Sequence, residues 1–450
     1  MAAIGLKRRM AALDKRALTA DLERMSAFVE NTPLSGESAE TITADVLIVG
    51  GGLVGSTLGC VLASAGIETV VVDREDPASV MEASFDGRAS AIAAGSRHMM
   101  ESVGLWAEVA AAQPIRDIRV TDGKVGRKAS ALSLHYDHRE IGEPFGHIVE
   151  NRELRKAQHR FIPKLETLRL LAPMGVSLVA RRPDGVEAKL DDGRRVRAQL
   201  VCACDGRNSR LREDAGIKTT RWEYWQAGIV ATVEHEKPHR GTAWEHFLPS
   251  GPFAMLPMVD AADGTHRSSI VWTERKDLSE WAVKLPDHAF GQELERRFGD
   301  RLGRLRPVGP RFRYPLSGLN ASRYIDRRLA LVGDAAHAIH PIAGQGLNMG
   351  LRDVAALAEC IVDARRLGMD VGARGPLERY QRWRRVDNLA LVAATDSLDR
   401  LFSTDIAPIR LARDLGLAAV DRLDPLKRVF MRHAMGTFGD LPRLIRGKPL

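Results

Sequence analysis

The chain has 450 residues, 44% of them hydrophobic and 28% charged, enough for two packed domains and unlike a fibrous or low-complexity protein. Its formal charge of +8 would suit nucleic acid, an anionic membrane or an acidic partner. No dense Lys/Arg block and no Cys/His finger spacing accompanies that charge, so no nucleic acid is expected. Cys60, Cys202, Cys204 and Cys360 sit in apolar or helical contexts and read as buried thiols in a reducing compartment. Cys202-x-Cys204 lacks the second pair that zinc would need, so no metal is expected.

In chain order, residues 1–44 mix acids and bases without an apolar segment, which reads as a poorly ordered N-terminal extension rather than a secretion signal, with Met10 or Met25 as alternative starts. Next comes DVLIVGGGLVGSTLGCVLASAGIETVVVD, Asp45 to Asp73, with no charge between Val46 and Ile67. About 20 apolar residues suffice to cross a bilayer. Glycines at 50, 51, 52, 55, 59 and 66 would weaken a spanning helix, and another pattern fits better. Val46–Val49 reads as a strand, Gly50-x-Gly52-x-x-Gly55 as a loop, Ser56–Ala65 as a helix, and Thr69–Val72 as a second strand ending at Asp73. That is the context a dinucleotide fingerprint requires. Gly50 permits the tight turn and Gly52 a close approach to a pyrophosphate. Gly55 permits helix-on-strand packing, and the N-terminus of the following helix faces the phosphates with its positive end.

Two later stretches repeat the strand, glycine and acid order. In LVCACDGRNSRLRE, Leu200 to Glu213, an apolar strand ends in Asp205-Gly206, and Asn208-Ser209 cap a short helix bearing Arg212. Alone, a plain strand–turn–helix is the favoured explanation of it. In LALVGDAAHAIHPIAGQGLNMGLRD, Leu329 to Asp353, the strand Leu329–Val332 places Gly333-Asp334 at its C-terminal end. A Pro341–Gly346 turn then feeds a helix starting near Leu347, leaving the N–H groups of Gly346, Leu347 and Asn348 for an anion such as a reduced flavin. His337 and His340 invite an acid–base role, but His337 lies so close to Gly333-Asp334 that local packing is preferred and no base is assigned. There is no HExxH, no Ser/His/Asp arrangement and no second GxGxxG after a strand. Finally, Leu426–Leu450 interleaves Lys427, Arg428, Arg432, Arg443 and Arg446 with apolar residues, which suits a membrane surface or a packed tail equally.

Together the three glycine–acid stretches resemble the class A flavoprotein monooxygenases. HPIAGQGLNMGLRD, His340 to Asp353, is similar to the signature of the ubiquinone-biosynthesis hydroxylases of the UbiH, UbiF and VisC type. FDGRASAIAAGS (Phe85–Ser96), GTAWEHFLPSGPFAMLPM (Gly241–Met258), SSIVWT (Ser268–Thr273) and ATDSLDRLFS (Ala394–Ser403) extend the resemblance from Asp45 to Gly436.

The resemblance implies an α/β fold: a Rossmann-like FAD-binding domain (45–118, 147–220 and 318–395) with an inserted mixed-sheet substrate domain, p-hydroxybenzoate-hydroxylase-like, from 119–146 and 221–317, and C-terminal helices over 396–450. FAD would be held by Gly50, Gly52, Leu53, Val54 and Gly55 at the pyrophosphate and by Asp73, where the family more often has Glu, at the adenosine ribose. Arg88 would reach the pyrophosphate region, Asp205 and Gly206 would line the groove, and Gly333 with Asp334 would take the ribityl chain. Gly344, Gln345, Gly346, Leu347 and Asn348 would meet the pyrimidine edge, with Pro341 near the reactive face.

The implied reaction delivers one atom of O2, through a flavin C4a-hydroperoxide, to the ring of a polyprenylated phenol, with NAD(P)H or an external donor as reductant. Tyr224, Gln226, Phe247 and Phe253 are the pocket candidates, and Leu248, Met255 and Leu256 could wall a prenyl chain. A ubiquinone-biosynthesis complex and the inner, cytoplasmic face of an anionic membrane are the implied partners. The alternatives are another class A flavoprotein (catabolic hydroxylase or isoprenoid reductase) and a non-catalytic flavin-binding scaffold.

Overall fold

The computed structural model describes residues 40–126, 133–339, 344–402 and 423–450. The expected extension lies outside the described residues up to position 39 and does not reach 44. Thr41–Thr43 already pairs in parallel with Arg195–Ala198 at the edge of a four-stranded sheet.

A six-stranded sheet carries the strands in the order Ile325–Asp326, Leu329–Leu331, Leu200–Ala203, Val46–Val49, Thr69–Val72 and Leu168–Leu171. All neighbours are parallel except the first pair. Parallel strands are covered on both faces and so need unbroken apolar runs. VLIV, TVVV and LVCA supply them, and Leu47, Ile48, Val71, Val201 and Cys202 are fully buried. The charge-free stretch is thus strand, loop and helix, and among the described residues no helix is long and apolar enough to cross a membrane. Its helix runs Leu53–Ser64, starting three residues before the expected Ser56, because Gly52 is extended and serves as N-cap.

An eight-stranded sheet lies beside it, ordered His337–Ala338, Leu305–Ala321, Thr219–His235, His266–Arg275, Gly251–Pro257, Thr242–Leu248, Asp117–Asp122 and Ser133–Asp137. Thr219–His235 and Leu305–Ala321 are 17 residues each, so the domain limits expected at 220/221 and 317/318 fall inside continuous strands. One face is covered by the helices Lys276–Val283 and Asp287–Phe298, which close a core containing Ile229, Phe253, Trp272, Phe290 and Phe298. On the other face, Ile118, Val120, Ala243 and Leu256 pack with Phe85, Ala89 and Ala91, and with Met431 and Met435 of the Asp424–Ala434 helix. Ala89–Ala93 itself belongs to a three-stranded sheet with Gly146–Glu150 and Gln113–Ile115.

Candidate functional site

From Val46–Val49 the chain moves in one direction along the parallel sheet, to Thr69–Val72 and Leu168–Leu171. It then crosses to the other side, to Leu200–Ala203 and Leu329–Leu331. Open α/β sheets bind ligands where that direction reverses, outside the carboxyl ends of the strands. Here the reversal lies between Val46–Val49 and Leu200–Ala203, and the three glycine–acid stretches emerge from adjacent strands at one edge.

The glycine contacts measure how closely these stretches meet. A Cβ on Gly50, whose φ is +101°, would lie 2.4 Å from the Cys204 carbonyl oxygen, and one on Gly55 would lie 1.9 Å from the Gly50 carbonyl oxygen. No L side chain fits at either position. Val54 fills the space between Gly333 and Gly350, bringing the first loop against the third. Gly52 and Gly206 behave differently: a Cβ on either meets no protein atom within 4 Å, so these two border the open groove. Asp73 closes the fingerprint by accepting the Gly51 N–H and, at 2.7 Å, the Glu75 N–H.

Asp205 sits on the same rim. One carboxylate oxygen accepts the Leu211 N–H at 3.3 Å, and the other, Oδ1, is buried without a hydrogen-bond partner among the described residues. A buried acceptor left unmet costs about 1–3 kcal/mol, which a ligand hydroxyl would relieve. Asp334 is exposed at the mouth of the groove on the turn Gly333–Ala335. Open glycine faces, an orphaned carboxylate oxygen and a helix N-terminus form a donor and acceptor set that fits a dinucleotide.

The third stretch is fixed by side chains that the sequence does not advertise. The helix Gln345–Arg366 starts two residues before the expected Leu347, because Gly344 adopts a left-handed conformation (φ +62°) and acts as N-cap. Asn348 is a staple. Its Oδ1 accepts from Ala93 N–H and Ser96 Oγ, both at 2.9 Å, and its Nδ2 donates to Ala91 O at 2.8 Å and Gly344 O at 3.3 Å. Gln345, Gly346 and Leu347 therefore offer backbone N–H groups, while the Asn348 side-chain amide is spent on positioning.

Behind the turn, Asp353 is fully buried. It accepts Gly333 N–H (3.1 Å), Arg384 Nε (2.7 Å) and Asn388 Nδ2 (3.3 Å), and lies 2.5 Å from His337 Nε2. The charges of His337 and Arg384 hold its carboxyl well below the usual range, against the opposing effect of burial. His337 is a structural partner of Asp353, in keeping with local packing. Pro341 and His340 lie outside the described residues.

Arg88 is half-exposed and closed on Asp86, its Nε donating at 2.7 Å, with its guanidinium 5.6 Å from the Phe312 ring centroid. The pocket candidates divide. Phe253 is a correction: fully buried opposite Trp272, it belongs with Leu248 and Met255 to the core beneath the helices, on the face turned away from the groove. The alternation of side chains along Gly251–Pro257 decides this, and composition cannot reveal it. Gln226 is buried and donates to Ser250 O at 2.9 Å, the Tyr224 hydroxyl accepts from Trp222 Nε1 at 2.9 Å, and Phe247 shares the opposite face with Leu256.

Residues 43–385 match the family model of the FAD binding domain. The chain is 55% identical over 422 residues to the ubiquinone hydroxylase UbiL of Rhodospirillum rubrum, covering 93% of this chain and 96% of the relative. It is 34% identical over 396 residues to the 3-demethoxyubiquinol 3-hydroxylase of Escherichia coli, covering 87% and 98%. Among solved structures, p-nitrophenol 4-monooxygenase PnpA of Pseudomonas putida superposes with a TM-score of 0.72 at 20% identity, covering 91% of this chain and all of that one.

Proposed function

The chain belongs to the FAD-dependent hydroxylases of ubiquinone biosynthesis, and from that membership we propose that it hydroxylates the aromatic ring of a polyprenylated phenol. The observation that carries the reading is the 55% identity, over nearly the whole chain, to a ubiquinone hydroxylase. FAD, when bound, supplies the activation of O2. The chain supplies position and polarity. Gly52 and the N-terminus of the Leu53–Ser64 helix would receive the pyrophosphate, and Asp73 the adenosine ribose. Asp205 and Asp334 would accept hydroxyls of the cofactor's chain, and the N–H groups of Gln345 to Leu347 would stabilise negative charge on the pyrimidine edge. NAD(P)H or an external donor would reduce the flavin.

A lipid-borne substrate is met at a membrane surface, and the Asp424–Ala434 helix offers one place for it. Met431 faces the core, whereas Val429 and Phe430 are exposed beside Arg428 and Arg432. Such a basic and apolar strip suits anionic lipid.

The test is made in the host. Deleting the protein should lower ubiquinone and accumulate an under-hydroxylated polyprenyl phenol in extracted lipid. The wild-type gene should reverse both changes and Gly52→Val should reverse neither. Normal ubiquinone in a host with no compensating hydroxylase would overturn the substrate and leave a catabolic aromatic hydroxylase as the reading.

A further inference from the structure

The reaction proposed above needs an electron-rich ring, and a phenol becomes one by losing its hydroxyl proton. His337 is not free to take it, being bound to Asp353, and the open carboxylates of the groove, Asp205 and Asp334, are assigned above to hydroxyls of the cofactor. The eight-stranded sheet offers another group. Glu245, in the middle of Thr242–Leu248, pairs with Val120 on one side and Ala254 on the other, and Ala254 is followed across the sheet by Val271 and Val230. Cross-strand partners share a face. The residues flanking this row, Ala243, Ile118, Val120 and Leu256, pack with Phe85, Ala89 and Ala91. Ala91 in turn carries the carbonyl that accepts Asn348 Nδ2, and a Cβ on Gly344 would lie 3.4 Å from its Cβ. Glu245 therefore stands on the sheet face that packs toward Ala89–Ala93, the strand to which Asn348 ties the Gly344–Asn348 turn.

We propose that Glu245 is the base that accepts the phenolic proton of the substrate. The step is a simple transfer: the phenol O–H bond breaks, an O–H bond forms on the Glu245 carboxylate, and the electron pair stays on the phenol oxygen to enrich the ring. The proton returns to that oxygen when the hydroxylated ring becomes aromatic again. The assignment rests on the reading of the substrate as a phenol.

Three features single this carboxylate out. It has no hydrogen-bond or ion-pair partner among the described residues, and part of its surface remains exposed to solvent, so a ligand can reach it. Its neighbours are Val, Ala and Leu, and desolvation alone pushes its carboxyl up to about 7, where a base works best near neutral pH. The charged groups around it are engaged elsewhere. Asp122, one pleat along on the next strand, accepts the Gly123 N–H; Arg88 is closed on Asp86, and Lys427 on Glu140. The adjacent His246 points to the opposite face, bonds Thr121 Oγ1, and is pushed down to about 4 by burial.

The test uses the oxidised holoenzyme without reductant, so that nothing turns over. A short-chain prenylated phenol and its O-methyl ether are titrated against the flavin absorbance between about pH 5 and about pH 9, where the phenol itself stays protonated. Only an ionised Glu245 can accept the hydroxyl, so phenol affinity should rise roughly tenfold as pH increases through about 7, while that of the ether stays level. In Glu245→Gln the phenol should bind with no such rise and single-turnover hydroxylation should collapse, with flavin content and flavin reduction unchanged. Glu245→Asp should restore part of the pH dependence. A Glu245→Gln protein that keeps the rise overturns the assignment and leaves the substrate reading standing. A wild-type protein that binds neither ligand overturns the substrate reading, and this one with it.

Discussion

Gly52 and Gly55 are three residues apart and fail for opposite reasons when replaced. A side chain on Gly55 collides with backbone inside the fold, whereas one on Gly52 projects into the open groove. Gly52→Val should therefore give a folded, colourless protein: far-UV circular dichroism and urea midpoint of the apo form unchanged, flavin content near zero. Gly55→Val should not fold. A yellow Gly52→Val protein would remove the pyrophosphate from that loop. Asp353 shows how charge is used at the same scale. Truncating it to Ala removes the buried carboxylate shared by Arg384 and His337, leaving Asp387 as the carboxylate on Arg384, a loss of about 3–5 kcal/mol in urea unfolding. Its depressed pKa means the stabilisation is complete above the unfolded carboxylate value of about 4 and is lost as pH falls below it. The stability gap between wild type and Asp353→Asn should therefore stay level from neutral pH to about 4 and narrow below it.

The helix Gln345–Arg366 depends on its entry. Asn348 ties that entry to Ala89–Ala93 through two of its four hydrogen bonds, so replacing it with Leu leaves the Ala93 N–H and Ala91 carbonyl unmet. The expected cost is on the order of 1–3 kcal/mol in apo-protein stability, with weaker FAD binding measured by flavin fluorescence. Retained FAD affinity would show that the turn holds its shape without the staple. Elements of this kind are only half legible in the sequence. Thr69–Val72 and the strand, loop and helix at Val46–Ser64 are readable because their signals are local: an apolar run, glycines at fixed spacing, and an acid at the next strand end. The staple and the Asp353 cluster join positions far apart in the chain, and no periodicity records such a pairing. The face of Phe253 depends on strand register, which is settled only when Trp272 comes opposite.

For the whole molecule, the C-terminal segment is both anchor and surface. Lys427 bonds Glu140, the Arg443 N–H donates to Glu359, and Met431, Met435, Leu444 and Ile445 are buried. Removing everything after Pro425 would therefore open the core as well as strip charge. Surface substitutions separate the two effects. Arg428→Glu with Arg432→Glu and Phe430→Ser should lower co-sedimentation with anionic liposomes at low salt while leaving the melting temperature within a few degrees, since exposed sites contribute little to stability. Unchanged co-sedimentation would place lipid contact elsewhere on the molecule.

The order of strands in the parallel sheet also sets a timetable. Val46–Val49 and Leu200–Ala203 are central, but Leu329–Leu331, which covers the second of them, is made last. At synthesis rates of about 5–20 residues per second, the roughly 280 residues between Val49 and Leu331 take on the order of 15–60 seconds. Through that interval the nascent chain carries an open edge of fully apolar strand. Its partner sheet is equally incomplete until Leu305–Ala321 pairs with Thr219–His235. A ribosome stalled before residue 305 therefore presents two unfinished edges at once, the form in which this chain most needs a chaperone.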